Sequence, residues 1–114
     1  MKEVKAIIQP FMLSKVIGAL KELEGLPGVT VDTSVRGFGK GRAADASSRV
    51  VEDLVEYVPK AKLEIVVPDD LVETVVSVIQ KNAHTGNPGD GKIFVYNVQE
   101  VVKIRTGERG ENAI

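Results

Sequence analysis

The residues best suited to chemistry lie in one stretch, 85–107, T-G-N-P-G-D-G-K-I-F-V-Y-N-V-Q-E-V-V-K-I-R-T-G. Its opening loop holds Gly86, Pro88, Gly89 and Gly91, with Asp90 between the last two glycines and Lys92 directly after them. Glycines let a backbone turn tightly and bring its N–H groups close to a ligand. An apolar run at 93–98 then reads as a buried strand, and beyond it Lys103 and Arg105 alternate with Val102 and Ile104. In an extended segment that alternation points both cations to one face. A glycine loop with three cations nearby suits an anion such as a polyphosphate. A solvated turn followed by an edge strand with lysine outside fits the same residues.

Composition limits what such a site can be. The 114 residues make one domain, 1–114, with a single core. Aromatics are only 4 % and Trp is absent, so Val, Ile, Leu and Ala must build that core. A net charge of −1 argues against a nucleic-acid partner, whose binding draws on surplus Lys and Arg. No cysteine is present and His84 is the only histidine, which excludes a thiolate nucleophile, a Cys or His metal cluster and a His-paired dyad. No apolar stretch has the length of a membrane span and no signal peptide opens the chain, so a cytoplasmic protein without covalent catalysis is expected.

The elements that must position the loop follow in chain order. Residues 1–9 read as a strand, with Val4, Ala6 and Ile8 on one face, ended by Pro10. Ser14 is placed to cap a helix over 15–24 with the stripe Val16, Ile17, Leu20 and Leu23, stopped by Gly25. Val29, Val31 and Val35 mark a second strand, and the extra length at Asp32-Thr33-Ser34 predicts a bulge. Residues 37–60 are the least regular, and a long loop within a compact domain is usually functional. The pattern at 50–58 fits a helix or a strand. Residues 62–67 read as a strand ended by Pro68, and Asp69 or Asp70 caps a helix running to about Ala83. His84 closes that helix, where a cation suits the dipole.

The order β-α-β-β-α-β is that of the ferredoxin-like fold, an antiparallel four-stranded α+β sheet with both helices on one face. The strands read as apolar on both faces at Ile65-Val66-Val67 and Ile93-Phe94-Val95. A second copy covering the face without helices is therefore expected, making a homo-oligomer.

Five motifs carry a resemblance over nearly the whole chain: K-A-I-I-Q-P-F near the start, G-F-G at 37–39, P-K-A-K-L-E-I-V-V-P-D-D at 59–70, T-G-N-P-G-D-G-K-I-F-V at 85–95 and V-K-I-R-T-G-E at 102–108. In that order and spacing the chain resembles the PII signal-transduction proteins. The resemblance implies a ferredoxin-like homotrimer that is regulatory and not an enzyme. It implies ATP or ADP bound in clefts between subunits, often with Mg2+ and 2-oxoglutarate, and no prosthetic group or resident metal. It implies a target protein, a membrane transporter or an enzyme of nitrogen and carbon metabolism, reached through a T-loop at about 39–58.

Carried over position by position, Gly89, Asp90, Gly91 and Lys92 match the phosphate loop, and Lys103 and Arg105 match basic positions that reach the phosphates. Ile7, Gly37, Phe38, Gly39, Glu64 and Val66 match the walls around nucleotide and effector, and Thr85 is expected near the base. Lys60 matches the lysine on the 2-oxoglutarate carboxylate, flanked by Gly39, Lys40 and Gly41. Four cations at 60, 92, 103 and 105 in one cleft would repel one another without an anion. Arg42, Asp45, Ser47, Ser48, Arg49 and Asp53 are the T-loop residues offered to a partner. Three departures stand out. Gly41 replaces the glutamine that contacts Mg2+ and 2-oxoglutarate, Asp53 falls at the modified tyrosine, and Val51 falls at the phosphorylated serine. They imply no nucleotidylation or phosphorylation at the usual places, and they admit a second reading: an adenylate sensor answering to another small anion such as bicarbonate, or acting with a metal-efflux transporter.

Overall fold

A computed structural model describes residues 1–39 and 57–114. The sequence readings at 40–56, from Lys40 and Gly41 through Asp53 to the helix-or-strand question, lie outside the described residues. Alternation of apolar and polar residues makes strands β1 (Lys2–Ile8), β2 (Thr30–Gly37), β3 (Val58–Val67) and β4 (Gly91–Asn97). Helical stripes make α1 (Leu13–Lys21) and α2 (Val72–Ala83). The sheet order is β2-β3-β1-β4 and every neighbouring pair is antiparallel, the ferredoxin-like arrangement expected from the element order.

The core lies between the sheet and the two helices. Val4, Ala6 and Ile8 of β1 and Ala61, Leu63, Ile65 and Val67 of β3 meet Val16 and Leu20 of α1 and Val75 and Ile79 of α2, all essentially without exposure. Removing one such side chain, as in Leu63→Ala, leaves a cavity costing about 2–5 kcal/mol. The opposite face is mixed and not apolar as the sequence suggested. Val66 and Phe94 lie there, but beside them are Glu3, Lys5, Lys62 and Glu64, placed by the strand register. Glu3 is held above the ordinary glutamate range, first by partial desolvation and then by a hydrogen bond with Glu64. Lys5 Nζ sits 4.9 Å from the centre of the Tyr96 ring, a cation–π contact across two strands.

Several boundaries differ from the sequence reading, each for a local reason. Ser14 caps nothing, because Pro10–Met12 forms a 3-10 turn that feeds α1 from Leu13, whose N–H bonds the Pro10 carbonyl. That helix ends at Lys21, ahead of Gly25, with the Glu22 N–H turned back to Ala19 and Leu20. Neither Asp69 nor Asp70 caps α2 with its side chain, since Asp69–Leu71 is again a 3-10 turn. Asp69 instead accepts from the N-terminal ammonium at 2.9 Å and lies 3.7 Å from Lys2, which lowers its carboxyl pKa. The bulge in β2 is present: pairing passes from Asp32↔Lys62 to Val35↔Lys60, and Asp32 accepts from the Ser34 N–H and hydroxyl. The extra residue moves Val35 to the face of Lys60.

The largest difference is at the C-terminal end. Residues 102–109 form a short hairpin and not an extended segment, with Val102 bridged to Arg109 and the Gly107 N–H on the Lys103 carbonyl at 2.7 Å. Gly107 takes a positive φ of 75°, which closes a turn at 104–106 that a strand could not make. The common face expected for Lys103 and Arg105 is lost with it.

Candidate functional site

Four elements meet at the glycine loop. Helix α2 delivers the chain at His84, strand β1 ends at Ile8, strand β3 brings Lys60, and β4 begins at Gly91 opposite Ile8. Between α2 and β4 the loop closes around the Asp90 carboxylate. That group accepts from the Thr85 N–H at 2.8 Å, the Gly86 N–H at 2.9 Å and the Thr85 hydroxyl. The Asn87 N–H turns in to Thr85 Oγ1 at 3.1 Å. His84 Nδ1 lies 3.8 Å from the same carboxylate. Hydrogen bonds to its charged form, with the Thr85 hydroxyl first, hold Asp90 below the usual aspartate range. Its oxygens are therefore spent on the loop.

The loop is pressed against the end of β1. Gly91 has φ 109°, and a Cβ there would lie 1.8 Å from the Ile7 carbonyl oxygen, so glycine is obligatory. At Gly89, φ is 94° and a Cβ would lie 2.9 Å from Gln9 Nε2. Gln9 Nε2 donates to the Gly89 carbonyl at 2.7 Å, and Lys60 Nζ reaches the same oxygen at 3.4 Å. Among the described residues, the N–H groups of Gly89 and Asp90 have no protein acceptor. The N–H groups of Gly89 and Asp90 and the ammonium groups of Lys60 and Lys92 are the donors that the loop and its neighbouring strands could offer an anion. An open cleft of about 410 Å³ adjoins the loop on the helix side, floored by Ile8, Ile79, Ala83 and Ile93 and rimmed by His84, Asp90 and Lys92. Its apolar floor suits packing better than phosphate.

The described residues singled out by sequence divide into four groups. Ile7, Thr85, Gly89, Asp90, Gly91, Lys92 and Lys60 are brought together; Ile7 is paired with Lys92 across the ladder. Gly37, Phe38 and Gly39 leave β2 close by, with Gly37 paired to Val58 and Val35 to Lys60. There the Phe38 and Tyr57 rings meet edge-on at 5.3 Å and Arg36 Nη1 donates to the Tyr57 carbonyl at 3.0 Å, joining the end of β2 to the residue before β3. Glu64 and Val66 share the face of Lys60 but lie further along β3, Glu64 by four residues, or roughly 13 Å. Lys103 and Arg105 are not brought to the loop within this chain. Lys103 faces Glu108 at 3.8 Å, and no hydrogen bond or ion pair joins the hairpin to 84–92 among the described residues. Gln9 and the Arg36–Tyr57 contact went unread. Nothing in the spacing of a single Gln before Pro10 marks it as a loop anchor.

Comparison with known proteins agrees with this architecture. The family profile described as "Nitrogen regulatory protein P-II" matches residues 1–108. Similar curated proteins include the nitrogen regulatory protein P-II of Azospirillum brasilense, 50 % identical, and that of Rhodospirillum rubrum, 49 % identical. The nitrogen regulatory protein P-II 1 of Escherichia coli strain K12 is 50 % identical. Each alignment spans 114 residues, the whole of both chains. Among the described residues no helix is long and apolar enough to cross a membrane. The chain belongs to the P-II nitrogen regulatory family, whose members are regulatory signal-transduction proteins and not enzymes.

Proposed function

We propose that this chain senses adenine nucleotides, binding ATP or ADP through their phosphates at Gly89, Gly91 and Lys92 and the N–H groups of Gly89 and Asp90. The observation that carries the reading is the glycine loop itself: its one carboxylate is consumed internally, while the N–H groups of Gly89 and Asp90 make no hydrogen bond among the described residues and Lys60 is held only loosely, at 3.4 Å from the Gly89 carbonyl. Lys103 and Arg105 complete the site from a neighbouring copy in a homotrimer, which accounts for their distance from the loop within one chain. Mg2+ and 2-oxoglutarate join the nucleotide, with Lys60 on a carboxylate of the latter. The protein works in the cytoplasm, and the loop over 39–58 carries the ligand state to a target, a membrane transporter or an enzyme of nitrogen or carbon metabolism. Ligand binding would select among loop conformations, and the shift it produces is bounded by its differential affinity for them.

One departure favours a second reading of the effector alone. Gly41 has no side chain to ligate Mg2+ or 2-oxoglutarate, so a smaller anion such as bicarbonate at Lys60 would serve an adenylate sensor, with a metal-efflux or anion transporter as its target. Calorimetric titration of ATP–Mg2+ into the wild type and Lys92→Ala tests the nucleotide claim. Loss of a charged hydrogen-bonding group should weaken binding by at least about tenfold. Equal binding by the two proteins would remove the phosphate loop from the account. Repeating the titration with 2-oxoglutarate or bicarbonate decides between the effectors.

A further inference from the structure

Gln9 is the described polar side chain that most firmly fixes the glycine loop from outside it. It stands at the end of β1, next to the Ile8↔Gly91 pair, and its amide donates to the Gly89 carbonyl at 2.7 Å in a part-buried position. Lys60 approaches the same oxygen more loosely, at 3.4 Å. A trans peptide is planar, so its C=O and N–H point in opposite directions. The Gly89 carbonyl and the Asp90 N–H belong to one such plane. Holding the carbonyl on Gln9 therefore turns the Asp90 N–H the other way, toward the inside of the turn at 88–89, where it makes no close hydrogen bond among the described residues. Gly89, at φ 94° and without a Cβ, does not itself resist a rotation of that plane, whereas Asp90 would be carried toward a positive φ by a full flip.

We propose that Gln9 is a positioning residue for anion binding: its amide fixes the Gly89–Asp90 peptide with the N–H presented to a phosphate, and leaves the Lys60 ammonium available to a ligand. This rests on the nucleotide reading above. Without Gln9 two consequences follow together. The peptide plane is less firmly held and its N–H less well aimed at the anion, and among the described residues Lys60 becomes the one donor left to the Gly89 carbonyl. Both weaken binding, although Gln9 itself touches no ligand.

The test compares wild type, Gln9→Leu and Lys60→Met by ADP titration, with the Asp90 and Gly91 amide resonances followed in the ligand-free proteins. Q9L should bind ADP on the order of fivefold more weakly, the equivalent of one hydrogen bond. Its Asp90 amide should shift or broaden, while K60M leaves that amide in place. Unchanged affinity in Q9L would overturn the proposal. So would a loss with the Asp90 amide unmoved, which would indicate a packing role. If Q9L fails to fold, Gln9→Asn keeps the amide but shortens its reach, and the same outcomes decide. Should the wild type itself not bind ADP, the nucleotide reading falls, and the Asp90 amide alone decides whether Gln9 sets the peptide plane.

Discussion

The glycine loop and the C-terminal hairpin are both short, glycine-bearing turns beside cations, yet they are built on opposite terms. The loop is held from every side by its own chain, by Asp90 within it, Gln9 and Lys60 on one carbonyl and the Ile7 backbone beneath Gly91. The hairpin is held mostly by itself, through Lys103 to Glu108, Gly107 to Lys103 and Gly110 to Val101, and Ile104 at its turn is 100 % exposed. The loop is fixed by the rest of its own chain, and the hairpin, among the described residues, is fixed mainly by its own backbone.

Substitutions can break that contrast, and the largest effect belongs to the loop. Gly91→Ala must move the Ile7 carbonyl or abandon its φ of 109°, and should cost roughly 3 kcal/mol in chemical denaturation together with nucleotide binding. Lys103→Ala with Arg105→Ala should do the reverse. Binding should fall by about tenfold or more while stability stays within about 0.5 kcal/mol, because the hairpin rests on no core. A stability loss as large as that of Gly91→Ala would erase the distinction.

Smaller effects sharpen it. Asp90→Asn removes the charge and leaves one accepting oxygen where the loop uses two, so the Thr85 and Gly86 amides should exchange with solvent faster while those of β1 are unchanged. Because the native Asp90 carboxyl is lowered, its contribution is present above the unfolded pKa and fades as pH falls through the lower native value, below about pH 4. The loop amides should therefore lose protection only in that acid range. The smallest effect is on the open sheet face. Glu3 is raised, so its contribution is present below the unfolded pKa and is lost as pH rises through the native value. Glu3→Gln should flatten that part of the pH–stability curve, with a slight gain at neutral pH and no change in ligand affinity.

Much of this architecture could be read from residue pattern, and the failures have physical causes. The alternation of Val4, Ala6 and Ile8 and of Leu63, Ile65 and Val67 announces strands, and the added Asp32-Thr33-Ser34 announces a bulge, because both depend on neighbours in sequence. The glycine loop was legible for the same reason. Gly91 needs its positive φ whatever lies around it, although its approach to Ile7 is a tertiary fact. The capping expected at Ser14 and Asp69 fails because prolines four residues and one residue before them lead into 3-10 turns that displace a side-chain cap. Alternation at 102–105 suggested an extended segment, but Gly107 and the Glu108 carbonyl close a turn there. Gln9 was invisible, since its partner lies 80 residues away.

The central claim is that the anion site joins the glycine loop of one copy to the hairpin of another, and mixed assemblies test it most directly. Lys92→Ala chains and Lys103→Ala/Arg105→Ala chains, each impaired alone, would be unfolded, combined in equal amounts and refolded together. The account predicts that ATP binding at wild-type affinity reappears in a fraction of the clefts, where an intact loop meets an intact hairpin. A mixture that binds no better than its separately refolded parents would contradict it.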